Sequence, residues 1–307
     1  MIPFEQALDL VLNSVTEPSS VESVALEDCL GRYSAEAVIA SINVPGFANS
    51  AMDGYAVRVA ELEMNSPMPV SQRIAAGENP LLLQPGSVAR IFTGAKMPTG
   101  ADAVVLQEDI SVGDGGAVCF SELPGFNQHI RPAGQDVAIG SELIAAGKRL
   151  DAVDLGLAAS VGLAELNCRK PLRVAFFSTG DELRQPGEPL SGAQIYNSNR
   201  YLLASCIRGL GMLPVDLGCC EDSAEATRQI LIQASEQADC ILTTGGMSVG
   251  EEDYVRTEAE ALGDLQFWKI AMKPGKPFAQ GVINGTPFFG LPGNPVSTYV
   301  TFQLLVK

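Results

Sequence analysis

Histidine is almost missing from this 307-residue chain, which has only His129. A single imidazole excludes an H-E-x-x-H metalloprotease and any His-rich metal site. A Ser-His-Asp triad would have to use His129, which lies far from any G-x-S-x-G sequence. No Walker A sequence occurs, and no G-x-G-x-x-G falls at a strand–helix junction, so ordinary nucleotide hydrolases and dinucleotide folds lose support. Positive charge is scarce too. Twenty Lys and Arg against 36 Asp and Glu leave a net charge of −16, which argues against general binding to nucleic acid or anionic membranes. No apolar run reaches membrane-spanning length. The nearest, Ala152–Leu166, is interrupted by Asp154 and Glu165. The N-terminus, MIPFEQALDL, lacks the basic start of a secretory signal, so the expected location is cytoplasmic. The seven cysteines are scattered, with no C-x-x-C and one vicinal pair, Cys219-Cys220. They are expected to be reduced and structural.

Glycine, lysine and carboxylate patterns carry what chemistry there is. Asp239–Thr243 is a short apolar run of strand type. Thr244-Gly245-Gly246 follows, then Met247-Ser248-Val249-Gly250 and the acidic Glu251-Glu252-Asp253. Paired glycines at a strand end let the backbone turn sharply and approach a ligand closely. A helix N-terminus beyond them suits an anion, and the acidic cluster suits a divalent cation. The same segment also reads as a solvent-exposed turn with a negative helix start. Asp53, Asp136, Glu182, Asp222 and Asp253 all sit beside glycine or turn sequences. Such carboxylates suit Mg2+ bridging to phosphate, and each is also readable as a cap or turn residue. Asp222, with Glu225 three residues on, has the spacing of a helix N-cap and its N3 partner. Lys269, Lys273 and Lys276 lie within eight residues, the last two between prolines. They are the candidates for a local cationic pocket in an acidic chain.

The length suggests two or three domains. Residues 3–15 have helical spacing, and residues 47–128 are rich in Gly and Pro, with short strand-like runs at 54–59, 88–92, 103–107 and 117–120. A helical pattern returns over Asp151–Gly162. From Lys170 the pattern alternates: strand 172–177, helix 199–210, strand 212–217, a helix after Asp222, strand 239–243, further strands over 265–290, and a helix from Val296. Alternation of this kind implies βαβ units around a parallel sheet. In such sheets ligands sit at the carboxyl ends of strands. The loops Ser178–Glu182, Gly218–Asp222, Thr244–Asp253 and Leu291–Pro295 all follow expected strands. At Lys307 the chain stops inside a helical pattern without a cap, which reads as a chain whose continuation is missing.

Eight segments stand out together: Ser50-Ala51-Met52-Asp53-Gly54-Tyr55-Ala56, Ile91-Phe92-Thr93-Gly94, Ile130 to Asp136, Ser178 to Leu183, Gly245 to Tyr254, Phe267-Trp268-Lys269, Lys273-Pro274-Gly275-Lys276-Pro277 and Leu291 to Ser297. In combination they resemble the MoeA family of molybdopterin molybdenumtransferases, whose eukaryotic relative is the E domain of gephyrin. The resemblance implies an α/β plus β multidomain fold. A discontinuous elongated linker domain would comprise 1–44 and 130–168, an inserted β-rich domain 45–129, and an α/β molybdopterin-binding domain 169–307, truncated at its last helix and without the usual C-terminal β-barrel. It implies a reaction as well. Molybdenum from molybdate enters adenylylated molybdopterin, with Mg2+-dependent release of AMP. By the same resemblance Glu182, Asp222, Asp253, Asp53, Asp136 and Thr93 are catalytic, with Glu182 and Asp253 on the metal. Lys269, Lys273, Lys276, Gly245, Gly246, Ser248, Pro292 and Pro295 would bind substrate. The implied assembly is a homodimer, and the implied further partners are the adenylyltransferase and molybdoenzymes. Two other functions fit parts of the chain: a molybdopterin adenylyltransferase on the same α/β domain, and a gephyrin-like scaffold.

Overall fold

The structure is a computed structural model and describes residues 1–15, 20–246 and 254–307. It is an α/β plus β architecture in two compact units, residues 1–22 with 168–307 and residues 23–167. The family resemblance places residues 1–22 with the linker region, whereas in the structure they pack in the α/β unit. The helix Phe4–Ser14 puts Ala7 and Val11 at the core of that unit, with Phe4 and Leu8 against it.

The α/β unit is built on a six-stranded sheet. Its strands in chain order are β1 (Arg173–Thr179), β2 (Leu213–Cys220), β3 (Cys240–Thr244), β4 (Gly263–Lys269), β5 (Pro277–Ile283) and β6 (Thr286–Leu291). They lie in the order β2-β1-β3-β6-β5-β4. The first four are parallel, β5 is antiparallel to β6, and β4 is antiparallel to β5 and so runs in the direction of the parallel four. Alternation along β1 explains the layers. Val174 and Phe176 enter one core with Leu203 and Ile207 of the helix Ser198–Gly209. Ala175 and Phe177 enter the other with Leu231 and Ala234 of the helix Ala224–Gln237 and Val255 and Ala259 of the helix Tyr254–Leu262. With both faces covered, the central strands are nearly continuous apolar runs, as a buried parallel sheet requires.

The second unit holds a four-stranded sheet ordered Val70–Ile74, Val88–Ile91, Gly54–Val57, Ala103–Leu106. Three of these strands coincide with apolar runs. The fourth, Val70–Ile74, was not expected, because VSQRI buries only Ile74 and shows no apolar alternation. Its backbone pairing to Val88–Ile91 is what makes it a strand. Ala152–Ser160 is a helix opened by an Asp151 capping box, with Asp154 at N3. No closed β-barrel is present among the described residues, and none of their helices is long and apolar enough to cross a membrane.

Candidate functional site at the carboxyl edge of the α/β sheet

The parallel register brings the expected loops together. Thr179 of β1 pairs with Cys220 of β2, Ser178 with Thr244 of β3, and Thr244 with Leu291 of β6. Four strands therefore end on one edge of the sheet. Because β5 is antiparallel to β6 and β4 to β5, the turn between Lys269 and Pro277 lies on that edge too. The edge carries, in spatial order, Glu221-Asp222, Gly180-Asp181-Glu182, Gly245-Gly246, Pro292-Gly293-Asn294 and the lysine turn. Carboxylates lie toward one side, glycines at the centre and cations at the other. From β1 to β5 is three strand spacings, about 14 Å.

Close backbone approach governs the centre. Gly245 has φ +91°, and a Cβ there would meet Thr179 Oγ1 at 2.8 Å and its carbonyl oxygen at 2.9 Å. Its amide donates to the Leu291 carbonyl at 3.3 Å, and a Cβ on Gly293 would lie 3.7 Å from Gly245 Cα. Pro292 is buried and Pro295 opens the helix Pro295–Thr301, whose Asn294 cap accepts from the amides of Val296 and Ser297. The lysine turn is braced against this same helix. Gly275, at φ +104°, has Thr301 Oγ1 2.6 Å and Met272 Cε 2.8 Å from its Cβ position, and the Ile270 amide donates to the Lys276 carbonyl at 2.8 Å. The side chains of Lys269, Lys273 and Lys276 are exposed, and none is in an ion pair among the described residues.

At the acidic side the structure corrects the reading of Asp222 as a helix cap. Ser223 is the N-cap and accepts from the Ala226 amide at 3.2 Å, so the helix starts one residue later and Asp222 lies outside it. The Asp222 amide instead reaches Asp181 Oδ1 at 3.5 Å. Gly218 and Cys219 belong to β2 and not to the loop after it. Cys219 reports the local field. Burial first, then Cys220, Asp222, Glu182 and Asp181, push its thiol up to about 11. Three carboxylates thus add to the field at this thiol, one residue before the end of β2. Gly180, at φ +140°, has the Glu182 carboxylate folded over its Cβ position at 2.5 Å.

Sequence reasoning missed the polar layer under these loops. Thr244 Oγ1 donates to Ser178 Oγ at 3.1 Å, Ser178 Oγ donates to Asn197 Oδ1 at 3.3 Å, and that oxygen also caps the helix Ser198–Gly209 through the Arg200 amide at 3.1 Å. Asn199 Nδ2 donates to the Gly293 carbonyl at 2.7 Å. Asn197, Ser178 and Thr244 are buried to within 2%. Among the described residues Asn197 Nδ2, Asn199 Oδ1 and Thr243 Oγ1 have no partner. The Asn197-Ser198-Asn199 run before an amphipathic helix is an N-cap signature that could have flagged this layer.

In the second unit, Asp53 Oδ1 accepts from the Thr93 amide at 2.8 Å and from Thr93 Oγ1 at 2.7 Å. These two bonds hold the Asp53 carboxyl below its ordinary range, with Arg90 adding a smaller effect. Asp136 pairs instead with Arg131 at 2.5 Å. The fold so unites Asp53 with Thr93, Glu182 with Asp222, and the three lysines with Pro292, Pro295, Gly245 and Gly246. Ser248 and Asp253 lie outside the described residues. Among those described, no three His, Cys, Asp or Glu converge on a metal position.

Comparison with known proteins covers both units. Residues 2–162 match the family described as MoeA N-terminal region (domain I and II), and residues 175–307 the probable molybdopterin binding domain. A Haemophilus influenzae protein named molybdopterin molybdenumtransferase is 43% identical over 309 residues, spanning 100% of this chain and 76% of the relative. Molybdopterin molybdenumtransferase 2 of Mycobacterium tuberculosis is 41% identical, spanning 88% of this chain and 69% of the relative. A crystal structure of a molybdopterin biosynthesis MoeA protein from Pyrococcus horikoshii superposes with a TM-score of 0.86 at 34% identity, over 100% of this chain and 78% of the other. With the parallel-edge site in place, both parts matched and relatives this similar along most of their length, the chain belongs to the MoeA family of molybdopterin molybdenumtransferases.

Proposed function

We propose that this protein is a molybdopterin molybdenumtransferase that places molybdenum from molybdate on the dithiolene of adenylylated molybdopterin and releases AMP. The observation that carries this reading is the division of the sheet edge into a carboxylate side and a lysine side, with a glycine-lined centre between them. Cleavage of a phosphoanhydride moves negative charge onto the leaving phosphate, and fixed cations aimed at that charge stabilise the transition state. Lys269, Lys273 and Lys276 supply those cations, held on a turn braced by Gly275 against a helix. Bracing lowers the entropy lost when the lysines organise around an oxyanion. The backbone at Gly245-Gly246 admits the pterin phosphate closely, Pro292 and Pro295 shape the adjoining wall, and Ser248, outside the described residues, is assigned to substrate binding by the family motif.

Mg2+ is normally held by one or two carboxylates and by substrate phosphates, not by a complete protein cage. The hard oxygen donors Glu182 and Asp222, which share a neighbourhood around Cys219, fit such an ion. In this reading Glu182 and Asp253 hold it and Asp222 orients the attacking nucleophile. When bound it would neutralise charge on the phosphoanhydride oxygens. Asp53, Thr93 and Asp136 belong to the second unit, in which residues 45–129 would be the inserted domain. The working form is a cytoplasmic homodimer. The match of residues 2–162 to the MoeA N-terminal region favours a transferase over an adenylyltransferase, which needs only the α/β part.

The test is turnover. Full chain, adenylylated molybdopterin, molybdate and Mg2+ should yield AMP and a molybdenum-loaded pterin. Glu182→Gln should abolish AMP release with the fold intact by circular dichroism. No AMP release by the parent chain under these conditions would remove the reading.

A further inference from the structure

An arginine pair on the four-stranded sheet of the second unit has no assigned binding role, although Arg90 contributes to the field at Asp53. Arg73 and Arg90 occupy paired register positions on the neighbouring strands Val70–Ile74 and Val88–Ile91, and Tyr55 on Gly54–Val57 pairs with Arg90 on its other side. Arg73, Arg90 and Tyr55 thus form one row across three strands. Phe92, two residues past Arg90, carries both guanidinium groups over its ring, Arg73 at 4.5 Å and Arg90 at 4.6 Å from the centroid. Arg90 also lies 5.2 Å from the Tyr55 centroid.

Like charges directly opposite each other on adjacent strands destabilise a sheet. In a chain with 36 carboxylates for 20 basic residues, a nearby Asp or Glu would be the ordinary remedy. Among the described residues none forms an ion pair with either group. Arg90 donates to the Gly54 carbonyl at 2.8 Å and to Gln107 Oε1, both neutral. Arg73 is exposed and, among the described residues, its contact is the Phe92 ring alone. Asp53 is the carboxylate that feels Arg90, and its Oδ1 is already taken by Thr93. Aromatic faces hold guanidinium planes in place without neutralising them. Two guanidinium groups held on one ring keep charged donors near each other, and such forks match phosphate and similar tetrahedral oxyanions.

We infer that Arg73 and Arg90, set by Phe92 and Tyr55, form an oxyanion-binding subsite on the sheet of the second unit. The ligand is a tetrahedral oxyanion, which could reach the site as the phosphate of a nucleotide or as a free ion. This inference does not rest on the transferase reading, because binding can be followed without turnover.

The experiment follows the side-chain Nε–Hε resonances of Arg73 and Arg90 by NMR in the full chain, during titration with AMP, inorganic phosphate and molybdate in separate arms. Arg73→Gln and Arg90→Lys assign the two signals. Both resonances should move saturably with at least one titrant. Arg73→Gln, which removes no backbone contact, should weaken the binding sensed at Arg90 about tenfold, the loss of one charge-assisted contact. Movement with AMP alone identifies a nucleotide phosphate as the source; movement with phosphate and molybdate as well identifies a free oxyanion. Resonances that stay still through millimolar additions of all three, or an Arg90 response unchanged in Arg73→Gln, would overturn the subsite. AMP release that fails while these resonances still respond would count against the transferase reading alone.

Discussion

The two units assemble their candidate residues by opposite means. In the α/β unit the assembly is topological. Residues as far apart as Glu182 and Pro292 come to one edge because parallel strands must end there, and every loop that follows a strand is delivered to it. In the second unit the assembly is a specific bond. Asp53 and Thr93 lie 40 residues apart and meet because the carboxylate accepts both the amide and the hydroxyl of Thr93. A topological site survives the loss of one side chain, because the backbone places its neighbours. A bonded site depends on its one partner. The α/β edge should therefore fail through its backbone and the Asp53 pair through its side chains.

The largest expected effect is at the backbone of the edge. Gly245→Ala combines a positive φ with a Cβ 2.8 Å from Thr179 Oγ1. The substitution should cost about 1–3 kcal/mol and shift the urea midpoint of the protein downward. An unchanged midpoint would show that the β3 and β1 ends are not in contact as described.

A side-chain change on the same edge should leave the fold alone. Lys273→Gln keeps most of the stem and removes the charge, so molybdate affinity by calorimetry should fall about tenfold at an unaltered melting temperature. Lys170→Ala, away from the lysine turn, should bind as the parent does. If Lys273→Gln also matches the parent, backbone amides alone hold the anion.

The bonded pair should show itself through pH. The Asp53 carboxyl lies below its ordinary range because ionisation strengthens its bonds to Thr93. A depressed folded value means the contribution is complete above the unfolded value of about 3.9 and is lost as pH falls through the folded value. Asp53→Asn should therefore lower the urea midpoint at neutral pH and flatten its fall on acidification. Parallel pH profiles for the two proteins would show that the Thr93 bonds add nothing.

The smallest effect is at Cys219, whose thiol stands at about 11 mainly through burial and secondarily through Cys220, Asp222, Glu182 and Asp181. Alkylation of Cys219 should be slow at pH 8 and should accelerate toward that value, because the thiolate is the reacting form. Asp222→Asn should move the profile modestly to lower pH. A profile that Asp222→Asn leaves in place would mean the carboxylate is not near the thiol.

How much was legible beforehand differs between elements for physical reasons. The strands of the α/β sheet were readable because burial on both faces writes them as apolar runs, as in Val174–Phe177. Val70–Ile74 was not, because hydrogen bonds to a neighbour distant in sequence make it a strand while its side chains stay largely exposed. Asp222 looked like a cap because spacing alone cannot separate adjacent oxygen-bearing residues, and Ser223 took the role by reaching the Ala226 amide. The buried chain from Thr244 through Ser178 to Asn197 left no mark beyond a short Asn-Ser-Asn run.

By itself the sequence determined the periodicities that make helices and strands, the glycine positions where the backbone must turn or crowd, the charge surplus, and the motifs that place the chain in its family. These are local properties, written in consecutive side chains. Tertiary structure alone decided which ends share an edge, that the lysine turn leans on the helix after Pro292, that Asp53 finds Thr93, and that Arg73 and Arg90 share one phenyl ring. Each of these depends on strand order and register, which arise when distant segments bury their apolar faces together. No window of neighbouring residues contains that information.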